Sequence, residues 1–176
     1  MTVNSAAAIL ALIFAAATAP ALADDCTDFK WDVAQERALF AQTAVPVTAG
    51  RDLKSAPLMG LNRPYTVKLQ PQDAVNFAAA PGKKVPTPGA YAGVATFRIA
   101  TPGSYRVAID EPFWIDVVSH GMLVAAKDFQ SQHGCSSPHK IVEFDLTGGQ
   151  TFVLQLSNAI PNSVRLTITH TPSRKL

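Results

Sequence analysis

Phe97–Val118, FRIATPGSYRVAIDEPFWIDVV, decides the fold. Phe97 and Ile99 flank Arg98, and Tyr105, Val107 and Ile109 alternate with Ser104, Arg106 and Ala108. Phe113, Ile115 and Val117 then alternate with Trp114 and Asp116. Apolar side chains at every second position put one side of an extended chain into a core and leave the other to water. Thr101-Pro102-Gly103 breaks the first run, because proline fixes φ and glycine is free to take φ > 0. Asp110-Glu111-Pro112 breaks the second. The stretch predicts three strands cut by two turns.

The same period continues on both sides. Downstream, Ser119-His120-Gly121 reads as a hairpin tip with Met122–Ala126 as the return strand. Asp128–His139 reads as a polar loop with Phe129 its one large apolar residue. Val142, Phe144 and Leu146 alternate with Glu143 and Asp145, which places Glu143 on the solvent face of its strand. Gly148-Gly149 reads as a tight hairpin into Phe152, Leu154 and Leu156. The last strand sets Val164, Leu166 and Ile168 against Arg165 and Thr167, so Arg165 is expected to face water and to matter little.

Upstream, Tyr65, Val67 and Leu69 make a strand stopped by Pro71, and Ala78–Pro88 is a loop by composition. Ala44–Pro64 is punctuated by Pro and Gly and weakly patterned. Asp32–Gln42 is the one helix expected, with Asp32 as cap and Gln35 three residues later, an imperfect capping box. Phe29 and Trp31, flanking Lys30, predict a short strand leading into it. Many short strands with turn signals about every ten residues specify an all-β fold: a single antiparallel β-sandwich, jelly-roll-like, with one short N-terminal helix. Val107, Ile115, Phe144, Leu154 and Leu166 are the expected core.

The N-terminus reads as an address. Ala6 to Ala19 is almost wholly apolar, Ala21-Leu22-Ala23 fits the small-x-small cleavage pattern, and Asp24-Asp25 follows. Residues 1–23 are therefore expected to be a signal peptide; an uncleaved membrane anchor is the competing reading, disfavoured by the helix-breaking Pro20 beside the cleavage site. Residues 24–176 then form one exported domain, periplasmic or secreted, with no membrane anchor after cleavage. The charge balance, 15 Lys and Arg against 13 Asp and Glu, is near neutral and scattered. A nucleic-acid surface needs a denser basic stripe, so none is expected. Two cysteines, Cys26 and Cys135, in an exported chain are expected to pair as a disulfide tying the mature N-terminus to a late loop.

A family resemblance rests on the order GVATFRI, PGSYRVAI, WIDVV, a Cys-bearing loop, KIVEFDL and TFVLQLS. In it, Tyr91–Thr169 is similar to the pre-peptidase C-terminal type of secreted bacterial β-sandwich. The mature chain also resembles a group of small exported bacterial proteins with a CTDFKWDVAQERALF-like start, and chains of that look often carry the label homogentisate 1,2-dioxygenase. The resemblance covers most of residues 26–169. Its motifs are structural and imply no mechanism.

Chemistry has two places to reside. His133-Gly134-Cys135-Ser136-Ser137-Pro138-His139, with Glu143 four residues on, brings together residue types that hold zinc, copper or iron. A non-heme iron dioxygenase takes two His and one carboxylate on one face, and His133, His139 and Glu143 are of the right types. No cupin histidine motif is present. The other reading of the loop is a polar connection pinned by the disulfide, with Cys135 consumed and the histidines exposed. His120 reads as turn chemistry and His170 as part of the C-terminal tail. No G-x-S-x-G elbow marks a nucleophile. Trp114 and Asp116 share the face opposite Phe113, Ile115 and Val117. If that face is wet they form a ligand contact, an apolar plate beside an acceptor; if it is covered, Trp114 is core.

The leading expectation is an exported binding or accessory module without catalytic activity, needing no cofactor and meeting a small ligand or an envelope protein. One alternative is a protein that binds a transition metal, or a metal-dependent dioxygenase-like enzyme, built on the His133/His139 loop. Another is a structural envelope protein.

Overall fold

The three strands of the deciding stretch go alternately to two different sheets. In the computed structural model, which describes Met1, Cys26 and residues 28–171, the elements run α1 (Ala34–Phe40), β1 (Val45–Thr48), β2 (Leu58–Met59), β3 (Tyr65–Lys68), β4 (Gln70–Pro71), a 3-10 turn (Gln72–Ala74), β5 (Tyr91–Ile99), β6 (Gly103–Ile109), β7 (Trp114–Ser119), β8 (Met122–Val124), β9 (Asp128–Ser131), β10 (Lys140–Leu146), β11 (Gln150–Ala159) and β12 (Ser163–Thr171). The first sheet has the order β1-β3-β12-β6-β10-β9; the second is β2-β5-β11-β7-β8, with β4 pairing β5. β5 and β7 belong to the second sheet and β6 to the first. Both breaks in the stretch are therefore corners between layers. The expected signal peptide and its cleavage site lie outside the described residues.

The fold is the β-sandwich that the alternation demands, two six-stranded sheets face to face. Both sheets are mixed: most pairs are antiparallel, but β1 runs parallel to β3 and β2 parallel to β5. These two short strands come from the weakly patterned Ala44–Pro64, where two to four residues give no visible period. Gly148-Gly149 does not close a hairpin, since β10 pairs with β6 and β9 while β11 pairs with β5 and β7. It is another corner between sheets. A Cβ on Gly148 would sit 2.6 Å from the Ala100 carbonyl oxygen, and Gly149 takes φ +80°. The expected hairpin at Ser119-His120-Gly121 does form, with β8 returning on β7 and positive φ at His120 and Gly121.

Between the sheets lies one core. Val107, Ile115, Phe144, Leu154 and Leu166 are all buried in it. Phe97 and Phe152 stack at 5.7 Å between ring centroids. Each such side chain contributes about 1.5–3 kcal/mol of transfer free energy.

Both outer faces are covered as well. On the first sheet, Phe29, Val33 and Phe40 pack on Ala108 and Ile141, so outward positions of β6 and β10 become interior. Glu143 is 6% exposed for this reason and does not face solvent. The helix is shorter than expected, Ala34–Phe40, and the Asp32 carboxylate accepts from the Ala34 amide. No strand forms at Phe29–Trp31. There the Lys30 amide donates to the Gln130 side chain, which in turn donates to the Asp28 carbonyl, so side-chain bonds replace a ladder. Cys26 and Cys135 form the expected disulfide, with Cα atoms 5.8 Å apart and 109 residues between them in sequence. That is consistent with an extracellular protein. On the second sheet, Val75 packs on Ala92 and Val94, with Phe77 alongside. Among the described residues no helix is long and apolar enough to cross a membrane.

Candidate functional site

Trp114 opens β7, and a slot joins it to Phe129 of β9, the edge strand of the first sheet. Its alternation with Ile115 turns it outward, and it stays 38% exposed, so it is not core. The ring is nonetheless held. Its Nε1 donates to Asp116 Oδ1 at 3.0 Å, and Asp116 Oδ2 accepts from the Gly82 amide at 3.0 Å. Asp116 is buried, accepts at both its oxygens and does not line the slot beside the ring, so it positions the indole. The Lys140 ammonium lies 5.3 Å from the centre of the Trp114 ring and donates to the Phe113 carbonyl. Burial pushes the Lys140 amine below its ordinary value of 10.5, against the pull of Asp116. Trp114, Ile115, Ala126, Phe129, Lys140 and Val142 line a slot of about 170 Å³. Phe129 is exposed. Such a slot admits one apolar group against two aromatic walls.

The histidine loop is placed by its ends. The Gln132 amide donates to the His139 carbonyl, the His139 amide to the Ile109 carbonyl, and Cys135 is anchored through the disulfide. His133 and His139 meet edge to face, 6.2 Å between ring centroids. Cys135 is consumed by the bond to Cys26. Glu143 is not brought to the pair, because Arg106 and Lys127 hold its carboxylate. Among the described residues no group of three His, Cys, Asp or Glu side chains comes together as a metal site. The two-His, one-carboxylate set that the dioxygenase label implies is therefore not assembled, and no step through iron follows from this loop. His120 accepts its turn role, with Nδ1 2.9 Å from Ser119 Oγ. His170 is not in a loose tail: it lies in β12, its ring 4.7 Å from that of Tyr105.

One buried cluster leaves no local pattern in the sequence. Thr169, Arg106 and Glu143 are register neighbours across β12, β6 and β10. Arg106 Nε donates to Glu143 Oε2 at 2.9 Å, and its Nη1 donates to the Asp32 carbonyl at 2.9 Å and lies 3.8 Å from Glu36 Oε1. Thr169 Oγ1 donates to the same Glu36 oxygen at 2.7 Å, and Trp31 lies over the guanidinium at 4.9 Å. The available signal was an Arg and a Glu at outward positions of two strands, with an apolar N-terminal segment upstream able to cover them.

No protein-family model matches the chain, and no curated protein does. The chain is similar to the pre-peptidase C-terminal domain of a collagenase from Bacillus anthracis. That similarity covers 64% of this chain and 93% of that domain, at 13% identity and a TM-score of 0.41. A β-glucosidase from Paenibacillus barengoltzii is similar over 71% of this chain and 13% of its own, at 14% identity and a TM-score of 0.30.

Proposed function

We propose that the protein is an exported binding module without catalytic activity, an accessory β-sandwich that contacts its partner through the Trp114 slot. The observation that carries this is the state of Trp114: exposed, yet held by a buried carboxylate and flanked by Lys140. A large aromatic ring fixed in advance loses little entropy on binding, which is how such a surface gains affinity. With Asp116 buried behind the ring and the lining mostly apolar, the slot suits an apolar or aromatic group more than a sugar hydroxyl. An aromatic side chain of an envelope protein, or a small aromatic ligand, has that chemistry.

The test is an NMR titration with p-cresol and N-acetyl-phenylalanine amide, followed at the Trp114 indole N–H. Saturable shifts that vanish in Phe129→Ser support the reading. Unchanged spectra at millimolar probe, or equal shifts in the variant, would defeat it. The second reading is metal binding by His133 and His139, favoured by the approach of their rings. Metal analysis of protein purified without a histidine tag decides it: a stoichiometric metal lost in the His133/His139 double variant would establish the loop as the functional site.

A further inference from the structure

Lys140 lines the Trp114 slot as its one charged residue. It opens β10, is half-buried, and holds its ammonium 5.3 Å from the centre of the Trp114 ring. Among the described residues no carboxylate forms an ion pair with it, whereas Lys30, Lys127 and Arg106 all have one. Of its three donors one is used, on the Phe113 carbonyl at 3.1 Å. Two charged groups act on this ammonium: Asp116 favours it and Lys83 opposes it. The Asp116 oxygens accept from the Trp114 indole and the Gly82 amide. The other acids nearby in sequence are engaged elsewhere. Asp128, beside Phe129, pairs with Lys30; Glu143 pairs with Arg106 and Lys127, and Asp145 with Lys127; Glu111 acts on Asp110. Two ammoniums therefore stand against one buried carboxylate, which leaves one positive charge unanswered. Burial pushes the Lys140 amine down because the water it has lost is not replaced by a paired anion.

A carboxylate entering the slot would match that charge. Trp114 and Phe129 offer aromatic walls to an apolar body, and the free donors of Lys140 serve the acid group through charge-assisted hydrogen bonds. A neutral ligand leaves the ammonium without its anion, and a cation meets Lys140 and Lys83 as like charges. A bare inorganic anion has no apolar surface to lay on the rings. We infer that the slot binds a monocarboxylate with an apolar body, about one ring in size. The inference rests on the Trp114 slot as the contact site and adds the charge that its occupant brings. Two sources share this chemistry: a free apolar acid, and the terminal carboxylate of a chain that ends in an apolar residue.

The experiment compares probes of one shape and different charge. Benzoate against benzamide represents the free acid, and N-acetyl-phenylalanine against its amide represents the chain end. Each is titrated into the oxidised mature protein at neutral pH and low salt, followed at the Trp114 indole N–H, with benzylamine as the cationic control. Each acid should bind roughly tenfold more tightly than its amide, the effect of one charge-assisted hydrogen bond, and the tighter acid assigns the source. Lys140→Met keeps the apolar stem and, once its melting temperature shows that it folds, should lose this preference. A second measurement needs no substitution. The Lys140 amine should titrate at a higher pH with benzoate bound than with benzamide bound, because a neighbouring anion favours the ammonium. Acids that bind no tighter than amides would overturn the inference. So would a preference kept in folded Lys140→Met, an unmoved Lys140 titration, or benzylamine binding as well as benzoate. Amides that bind while acids gain nothing would defeat this inference alone; no response at Trp114 to any probe would defeat the slot itself.

Discussion

The sandwich is covered on both outer faces, and the two covers are held by different chemistry. The N-terminal segment lies on the first sheet through a disulfide, an Arg106–Glu143 pair with Glu36 facing it, and the Lys30–Asp128 ion pair. Residues 72–88 lie on the second sheet through neutral amides and one carboxylate. Gln155 exchanges two hydrogen bonds with the Ala79 backbone, Asn158 accepts from the Thr87 amide, and Asp116 accepts from the Gly82 amide. In both cases a polar residue at an outward strand position reaches a covering segment that has little regular structure. The lesson is that an outward polar residue in a strand is not evidence of a wet face. The charged cover is the one with the larger penalty when a single partner is lost, because an unpaired buried charge costs more than an unpaired amide.

Removing the disulfide tests the difference most severely. A closed loop of this length restricts the unfolded chain by up to ~4.7 kcal/mol in the entropy model. The Cys26→Ser/Cys135→Ser variant should melt at a lower temperature, and hydrogen exchange should quicken over residues 28–40 while residues 72–88 keep their protection. Equal loosening of both covers would show that they are not independent. Next comes Arg106→Ala, which leaves buried Glu36 with no facing cation and Glu143 with Lys127 alone, and should cost roughly 3–5 kcal/mol in denaturant unfolding. Gln155→Ala, at a position 1% exposed, should cost only about 1–3 kcal/mol. Similar costs for the two would erase the distinction.

Arg165→Ala is a smaller test of the same cover. The guanidinium donates to the Phe40 and Gln42 carbonyls at the end of α1, contrary to the expectation that it merely faces water. Its loss should cost roughly 1.5–3 kcal/mol, from charge-assisted bonds that close the helix. A change near zero would mean that water replaces it.

The smallest effect is a pH dependence beside Arg165. The Arg165 amide donates to Asp110 Oδ1 at 2.7 Å. Burial still pushes the Asp110 carboxyl up from 3.8 to about 6, with Glu111 adding to the rise. The folded protein thus holds this proton more tightly than the unfolded chain. The resulting stability is complete below pH 4 and is lost as pH rises through 6. Asp110→Asn should therefore stabilise the protein at pH 7 by about 1 kcal/mol, the linkage being reduced by solvent screening, and give no gain at pH 4. A gain of the same size at both pH values would assign it to packing instead.

Local pattern carried the reading a long way. A two-residue period states which side of a strand is apolar, and every expected core residue from Val107 to Leu166 is buried accordingly. It does not state which strand lies alongside, so Gly148-Gly149 passed for a hairpin when it is a corner between sheets. Nor does it state what covers the polar side. Glu143 and Trp114 both sit at outward positions, yet one is buried under the N-terminal segment and the other is half open.

From sequence alone came the β-sandwich, its core, the helix that follows Asp32 and the pairing of two cysteines, because these follow from periodicity, turn chemistry and parity. Tertiary structure decided the sheet assignment of each strand, the two parallel edge pairs, and the burial of Arg106, Glu143 and Glu36. It also brought Trp114, Phe129 and Lys140, from three different strands, to one slot. Contacts between segments distant in the chain leave no local period behind them, and only the folded arrangement assigns them.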